Sequence, residues 1–299
     1  MMRKFKYMLI AGCLAVASSL SGQQLPHFSQ YMFNDFVLNP AIAGVHDYYQ
    51  IRTNHRFQWV GMTDPPLTNS ISFYGPHQRL DMGFGGTIYT DVTGPTSRTG
   101  VSGSYGYNIA ITGDMRVSMG ISFSMLQYRV DGTQLTPRDP SDMAIQGVVS
   151  TSYVPDAGIG IYLYGDDYYA GFSAAQLLNN NLTIFEEKTG LNKLKSHFYL
   201  TGGYRFEVDP DWILEPSAII KATAPKQLRF EVNAKVEWLE MVWLAMGYRF
   251  HESVGIMAGY NYDDKFYFGY AYDFGITDLR KYNMGSHELM IGYRFNDIK

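Results

Sequence analysis

From residue 50 onward, apolar and polar residues alternate with period two in segment after segment. Over 116–125, Val117, Met119, Ile121, Phe123 and Met125 fall on one side, and Ser118, Gly120, Ser122 and Ser124 on the other. Over 101–109, Val101, Gly103, Tyr105, Tyr107 and Ile109 oppose Ser102, Ser104, Gly106 and Asn108. Over 228–238, Leu228, Phe230, Val232, Ala234, Val236 and Trp238 oppose Arg229, Glu231, Asn233, Lys235 and Glu237. A helix would scatter the charges of this last segment around its whole circumference, whereas alternate side chains of a strand point to opposite faces. The pattern predicts strands near 50–60, 67–75, 82–90, 99–110, 115–128, 154–165, 167–176, 197–208, 211–220, 227–238, 240–250, 253–263, 265–274 and 286–295. Many approach the roughly 9–11 residues with which a tilted strand crosses a bilayer.

The connections sort by length. Tight turns rich in Asp, Gly and Pro at 112–114, 165–167, 208–211, 238–240 and 263–265 follow strands 4, 6, 8, 10 and 12. The long connections 129–153, 175–196 and 274–285 follow strands 5, 7 and 13. Outer-membrane barrels show this asymmetry, with short periplasmic turns and longer outer loops. A secreted β-sandwich or lipocalin-like barrel, the soluble alternative, has no reason to sort its loops this way. The last strand places Leu289, Ile291, Tyr293 and Phe295 on one face and ends on an aromatic, followed by residues 296–299. Tyr48, Tyr49, Trp59, Tyr128, Tyr153, Trp212, Trp238 and Trp243 stand near strand ends, where an interfacial girdle is expected. The expected fold is all-β, a transmembrane antiparallel β-barrel of about 14 strands in the outer membrane.

The chain opens differently. Arg3, Lys4 and Lys6 precede a short apolar run over 7–17 and the small residues Ser18, Ser19, Ser21 and Gly22, the pattern of a secretory signal peptide over 1–22. That run is too short to span a bilayer, and no later stretch has eighteen consecutive apolar residues. Ile10-Ala11-Gly12-Cys13 also fits the approach to a lipidated cysteine, so two outcomes stand open: cleavage near 21–23, which removes the cysteine, or lipidation at Cys13. Residues 23–49 then form an N-terminal segment and 50–299 the barrel.

Composition fits a wall wet on one face and lipid-bound on the other. Charged residues are 17% of the 299, against about 25% in soluble domains. There are 24 Tyr, 18 Phe and 30 Gly, and the mean hydropathy of −0.17 averages two opposed strand faces. A net charge of −4 argues against nucleic acid as a partner. The single Cys excludes a disulfide framework and any site that needs several cysteine ligands.

Candidate chemistry is sparse. His27, His46, His55, His77, His197, His251 and His287 form no zinc-protease pair, there is no G-x-S-x-G elbow, and no cofactor is expected. Gly83-x-Gly85-Gly86 reads as small residues where a segment packs against the wall, not as a dinucleotide loop. The pairs Asp166-Asp167 and Asp263-Asp264 suit turns better than calcium. The face of Arg229, Glu231, Lys235 and Glu237 would line a lumen, and its balanced signs favour internal pairing over an ion-selective ring. Glu186, Glu187, Lys188, Lys193 and Lys195 leave 175–196 open between a short surface helix and a plain loop.

Residues 23–49 carry Phe28, Tyr31, Met32, Phe33, Phe36, Val37 and Leu38 beside Pro26, Pro40 and Gly44, too apolar to hang free. The segment is expected to fold into the periplasmic mouth or lumen as a plug, with Asn39-Pro40 starting a turn and Gly44 giving a permissive backbone.

The run Gln24-Leu25-Pro26-His27-Phe28-Ser29-Gln30-Tyr31-Met32-Phe33-Asn34, followed by Asn39-Pro40-Ala41-Ile42-Ala43-Gly44, resembles the N-terminal signature of the PorP/SprF family of the type IX secretion system. The resemblance continues through Arg56-Phe57-Gln58-Trp59-Val60-Gly61, Pro66, Thr68, Ser72 and Pro76. It resumes in Tyr270-Ala271-Tyr272-Asp273, His287-Glu288 and Tyr293-Arg294-Phe295, while Asp35, Phe36 and Asp64-Pro65 depart from the commonest pattern. It implies a non-enzymatic outer-membrane barrel supporting secretion or surface anchoring of large adhesins, in some members for gliding motility. The implied partners are the adhesin's C-terminal sorting domain and other type IX components, including periplasmic ring lipoproteins. The candidate plug or partner-docking residues are Phe28, Gln30, Tyr31, Met32, Phe33, Asn39, Pro40 and Gly44. The competing functions are a passive diffusion porin, which needs an open lumen, and a membrane-embedded hydrolase, which needs Ser and His on the outer wall.

Overall fold

The computed structural model describes residues 25, 27–135, 147–182, 193–223 and 227–296. The signal-peptide expectation, Cys13 and residues 183–192 lie outside the described residues. The strands are β1 (Tyr49–Phe57), β2 (Leu67–Pro76), β3 (Met82–Thr93), β4 (Thr96–Thr112), β5 (Met115–Asp131), β6 (Val149–Tyr164) and β7 (Tyr168–Ala175). They continue with β8 (His197–Tyr204, extended by Phe206–Asp209), β9 (Trp212–Thr223), β10 (Gln227–Trp238), β11 (Val242–Arg249), β12 (Ser253–Tyr262), β13 (Phe266–Gly275) and β14 (Ser286–Phe295). Both pieces of β8 pair with β9, which leaves fourteen strands. Each strand pairs antiparallel with its sequence neighbour, and β14 returns to β1 in register from Tyr49↔Phe295 to Phe57↔His287. No edge remains, which is how a sheet can satisfy its backbone in a bilayer.

The alternation read from the sequence is the alternation of faces. Ile121, Phe123, Phe230, Leu244, Met246, Ile256 and Ile291 are exposed on the outer face. Ser118, Glu231, Asn233, Arg249 and Glu288 are buried on the inner one. The five tight turns read from the sequence all close one end. Leu239, Glu240, Asp263 and Asp264 have φ of 50°, 56°, 54° and 51°, the paired left-handed residues of a hairpin turn.

Several boundaries differ from expectation. Strands 3 and 4 run on to Thr93 and Thr96, so the apparent gap over 91–98 shrinks to a two-residue turn at 94–95. The loop after β5 likewise shortens to 132–148, because pairing extends to Asp131↔Val149. The longest connections still follow β5, β7 and β13, but two-residue 94–95 and three-residue 250–252 also lie at that end. The described parts of 176–196 contain no helix; Leu182 and Leu194 tuck against Leu126, Val130 and Val154.

Three girdle expectations are corrected: Tyr128 shares the inward parity of Leu126 and Val130 and packs against them, and Tyr48 stacks on His46 beneath Arg294, inside the barrel. Trp243 does not join an interfacial girdle: it points into the barrel and is 1% exposed. It lies between the outward Val242 and Leu244, so strand parity sends it inward although it stands near a strand end. Trp212 and Trp238 do face outward, adjacent at 6.3 Å.

Candidate functional site

The inner wall is met by residues 27–48, which form no strand but three short 3₁₀ turns, Tyr31–Phe33, Asp35–Val37 and Pro40–Gly44. Their contacts fall into three tiers along the barrel axis.

At the long-loop end, Arg56 reaches Asp273 at 2.6 Å and Glu288 at 3.1 Å, all three buried. The Ser29 and Gln30 backbone N–H groups donate to Glu288 at 2.7 and 3.1 Å, and the Ser29 hydroxyl donates to Asp273 at 2.6 Å. Beside them Arg249 pairs with Glu231 at 3.1 Å, and His27 lies 3.6 Å from the same carboxylate while accepting a hydrogen bond from Lys221. These charges are out of water but each has a partner, the condition under which buried ions are tolerated. Lower on the same wall, Lys235 bridges Glu215 and Glu237 at 2.7 and 3.1 Å, so the charged face of β10 is internally paired.

In the middle tier, the Asn233 amide donates to the Tyr31 hydroxyl at 2.8 Å, and Tyr31 packs against Tyr199 and Ile219. Met32 and Phe33 pack with Trp243, Phe33 stacked on it at 4.1 Å. Asn34 donates to Asn54 at 2.8 Å and accepts from Ser72 at 2.9 Å. Phe36 stacks on Tyr74 at 4.3 Å.

At the tight-turn end, Asn39 caps the third 3₁₀ turn, its side-chain oxygen accepting from the Ala41 N–H at 3.0 Å and its amide donating to the Ile161 carbonyl at 3.1 Å. Ser118 donates to the Ala41 carbonyl at 2.6 Å, and Asn108 to the Gly44 carbonyl at 3.2 Å. The wall here is glycine. A methyl on Gly120 would strike the Ala41 backbone, one on Gly83 the Gly44 backbone, and one on Gly160 the Asn39 side chain. Gly44 itself has no left-handed backbone; it is small because Gly83 lies 2.8 Å from where its Cβ would stand. The reason for Gly44 is thus close approach and not conformational freedom.

All eight candidate residues therefore face the lumen wall. Phe28, Gln30, Tyr31, Asn39, Pro40 and Gly44 are buried, and Met32 and Phe33 are half-buried. Sequence reasoning missed Ser29 and Asn34 in the segment, and the wall residues Arg56, Asp273, Glu288 and Trp243 as their partners. Arg56 carried a signal, being a full charge on a polar strand face with no nearby opposite charge. Between the segment and the wall of β3–β7 remains a cavity of about 130 Å³, lined by Phe28, Phe36, Ser102, Ser122 and Asp156.

Among the described residues no cluster of His, Cys, Asp and Glu could hold a metal. On the outer face His55 contacts Asn69 at 2.8 Å and His287 contacts Tyr270 at 2.6 Å, neither of them a serine.

Comparison with known proteins adds two findings. The family described as type IX secretion system membrane protein PorP/SprF matches residues 20–293. Among solved structures, the Ralstonia pickettii toluene transporter TbuX superposes with a TM-score of 0.55 at 9% identity, covering 88% of this chain and 93% of that one. The P. putida toluene transporter TodX gives 0.52 at 10% identity over 86% and 92%. The CymD monoaromatic hydrocarbon channel gives 0.52 at 11% over 93% and 96%. At such identities the likeness is one of fold, an outer-membrane barrel. No curated protein matches the chain.

Proposed function

The chain belongs to the PorP/SprF family of type IX secretion system membrane proteins, and we propose that within that system it acts as a closed, non-enzymatic barrel supporting the secretion or cell-surface anchoring of large adhesins. The observation that supports this reading is the packing of residues 27–48 against the inner wall at all three tiers. A diffusion pore needs its centre free, whereas an anchor needs a rigid barrel whose surfaces, turns and loops are offered to partners. Phe28, Gln30, Tyr31, Met32, Phe33, Asn39, Pro40 and Gly44 serve as the plug on this reading. The partners are the adhesin's C-terminal sorting domain and periplasmic ring lipoproteins, and gliding is one use of such anchoring.

Affinity purification from native outer membrane tests the proposal. Recovery of an adhesin or of ring lipoproteins, with a near-silent barrel in planar bilayers, is the expected result. Recovery of neither, with clear conductance, overturns it in favour of a passive diffusion porin. The cavity of about 130 Å³ beside β3–β7 is the observation that favours this second reading. Deleting 24–46 should then leave conductance unchanged, whereas for a plugged anchor the deletion opens the barrel.

A further inference from the structure

Because every strand crosses from the tight-turn end to the long-loop end, strand position is a ruler for depth in the lumen. Leu25 packs with Tyr199 and Ile219, and a small cavity places it beside His197, Thr223 and Gln227, the terminal residues of β8, β9 and β10 at the long-loop end. His27 sits slightly deeper, against Lys221 and Glu231. Ser29 is held by Arg56, Asp273 and Glu288, each within two residues of the long-loop end of its strand. Phe33 has reached Trp243, the second residue of β11 from the tight-turn end. Gly44 and Val45 meet Asn108, Gly83 and Tyr164, close to the tight turns, and β1 starts there at Tyr49. The segment therefore descends the full lumen. The path is not straight, because Leu38 lines the same small cavity as Leu25 and its carbonyl accepts from Ser173, but the two ends of the segment lie at opposite ends of the barrel.

Tight turns face the periplasm in outer-membrane barrels and long loops face outward. We infer that residues 25–48 run from the extracellular end of the lumen to its periplasmic end, so that Leu25 and His27, at the start of the described segment, form part of the outer face. An extracellular partner can then reach the beginning of the segment, while a periplasmic partner meets only its last residues, 45–48. Both ends are fixed by buried bonds. Two backbone N–H groups bind Glu288, 0% exposed, at the outer end. The Ala41 carbonyl accepts from Ser118, also 0% exposed, toward the inner end. Sliding the segment by one residue would leave these buried groups unpaired. This inference concerns topology and does not rest on the adhesin reading.

The test is cysteine labelling of the full chain in intact cells with a membrane-impermeant maleimide, the parent chain giving the background. Asp278→Cys, in the long connection after β13, and Asp264→Cys, in a tight turn, calibrate outside and inside. Leu25→Cys should label comparably with Asp278→Cys and about ten-fold above Asp264→Cys, which should label only after the outer membrane is permeabilised. A short epitope inserted before Leu25 should likewise bind antibody on intact cells. If either insertion or substitution prevents folding, judged by heat-modifiable mobility, the other decides. Labelling of Leu25→Cys or the epitope only after permeabilisation, or only on denaturation, overturns the inference. That outcome is independent of whether purification recovers an adhesin.

Discussion

Phe33 and Trp243 stack inside the barrel with ring centroids 4.1 Å apart and planes 28° from parallel, and the Lys235 ammonium lies over the Phe33 ring, 5.4 Å from its centroid. This contact ties the N-terminal segment to the wall where no backbone pairing is available to it. Phe36 and Tyr74 make the equivalent contact against β2.

Removing either ring should be costly, and removing both less than twice as costly. Phe33→Ala and Trp243→Ala are each expected to destabilise by about 3–5 kcal/mol. Their coupling should be about 0.5–1.5 kcal/mol. A double-mutant cycle on the midpoint of heat-modifiable mobility measures this; strict additivity would show that the stack itself contributes nothing.

The glycine wall should act as a steric gate on the segment. Gly120→Val places branched carbon where the Ala41 backbone lies, and its inward direction leaves the lipid face untouched. The expected outcome is a barrel that still inserts but has lost its seal, with single-channel conductance rising from near zero. Gly113→Ala, in a tight turn with open space around it, should leave conductance unchanged.

The buried cluster at the long-loop end predicts an asymmetry between its members. Arg56→Ala strands the buried Glu288 without its cation and leaves Asp273 only Arg249 at 4.0 Å, a loss of roughly 3–5 kcal/mol. Ser29→Ala removes one hydroxyl and should cost about 1 kcal/mol. Denaturant titration of the two variants side by side checks the order.

The strands themselves were legible because each must present one apolar and one polar face, a constraint repeated at every second residue. Val117 to Met125 and Leu228 to Trp238 show it without interruption, and the turns at 238–240 and 263–265 announce themselves by position and residue type. Where the pattern misled, a second force was at work. Trp243 has a girdle residue's composition and location, but parity turned it inward, where Phe33 covers it. Gly44 looked like a conformational hinge and is instead a spacing residue against Gly83.

The sequence by itself determined the barrel, its approximate strand count, which face of each strand meets lipid, and the family, because these depend on local periodicity and on a contiguous signature. Only the tertiary structure decided what residues 27–48 do with their apolar and polar groups. Their partners lie far along the chain, as in Ser29 with Glu288 or Tyr31 with Asn233, and no local pattern encodes such a pairing. Closing the sheet at β1–β14 brings those distant residues around one lumen, and the strand ends that the segment meets there set the direction in which it runs.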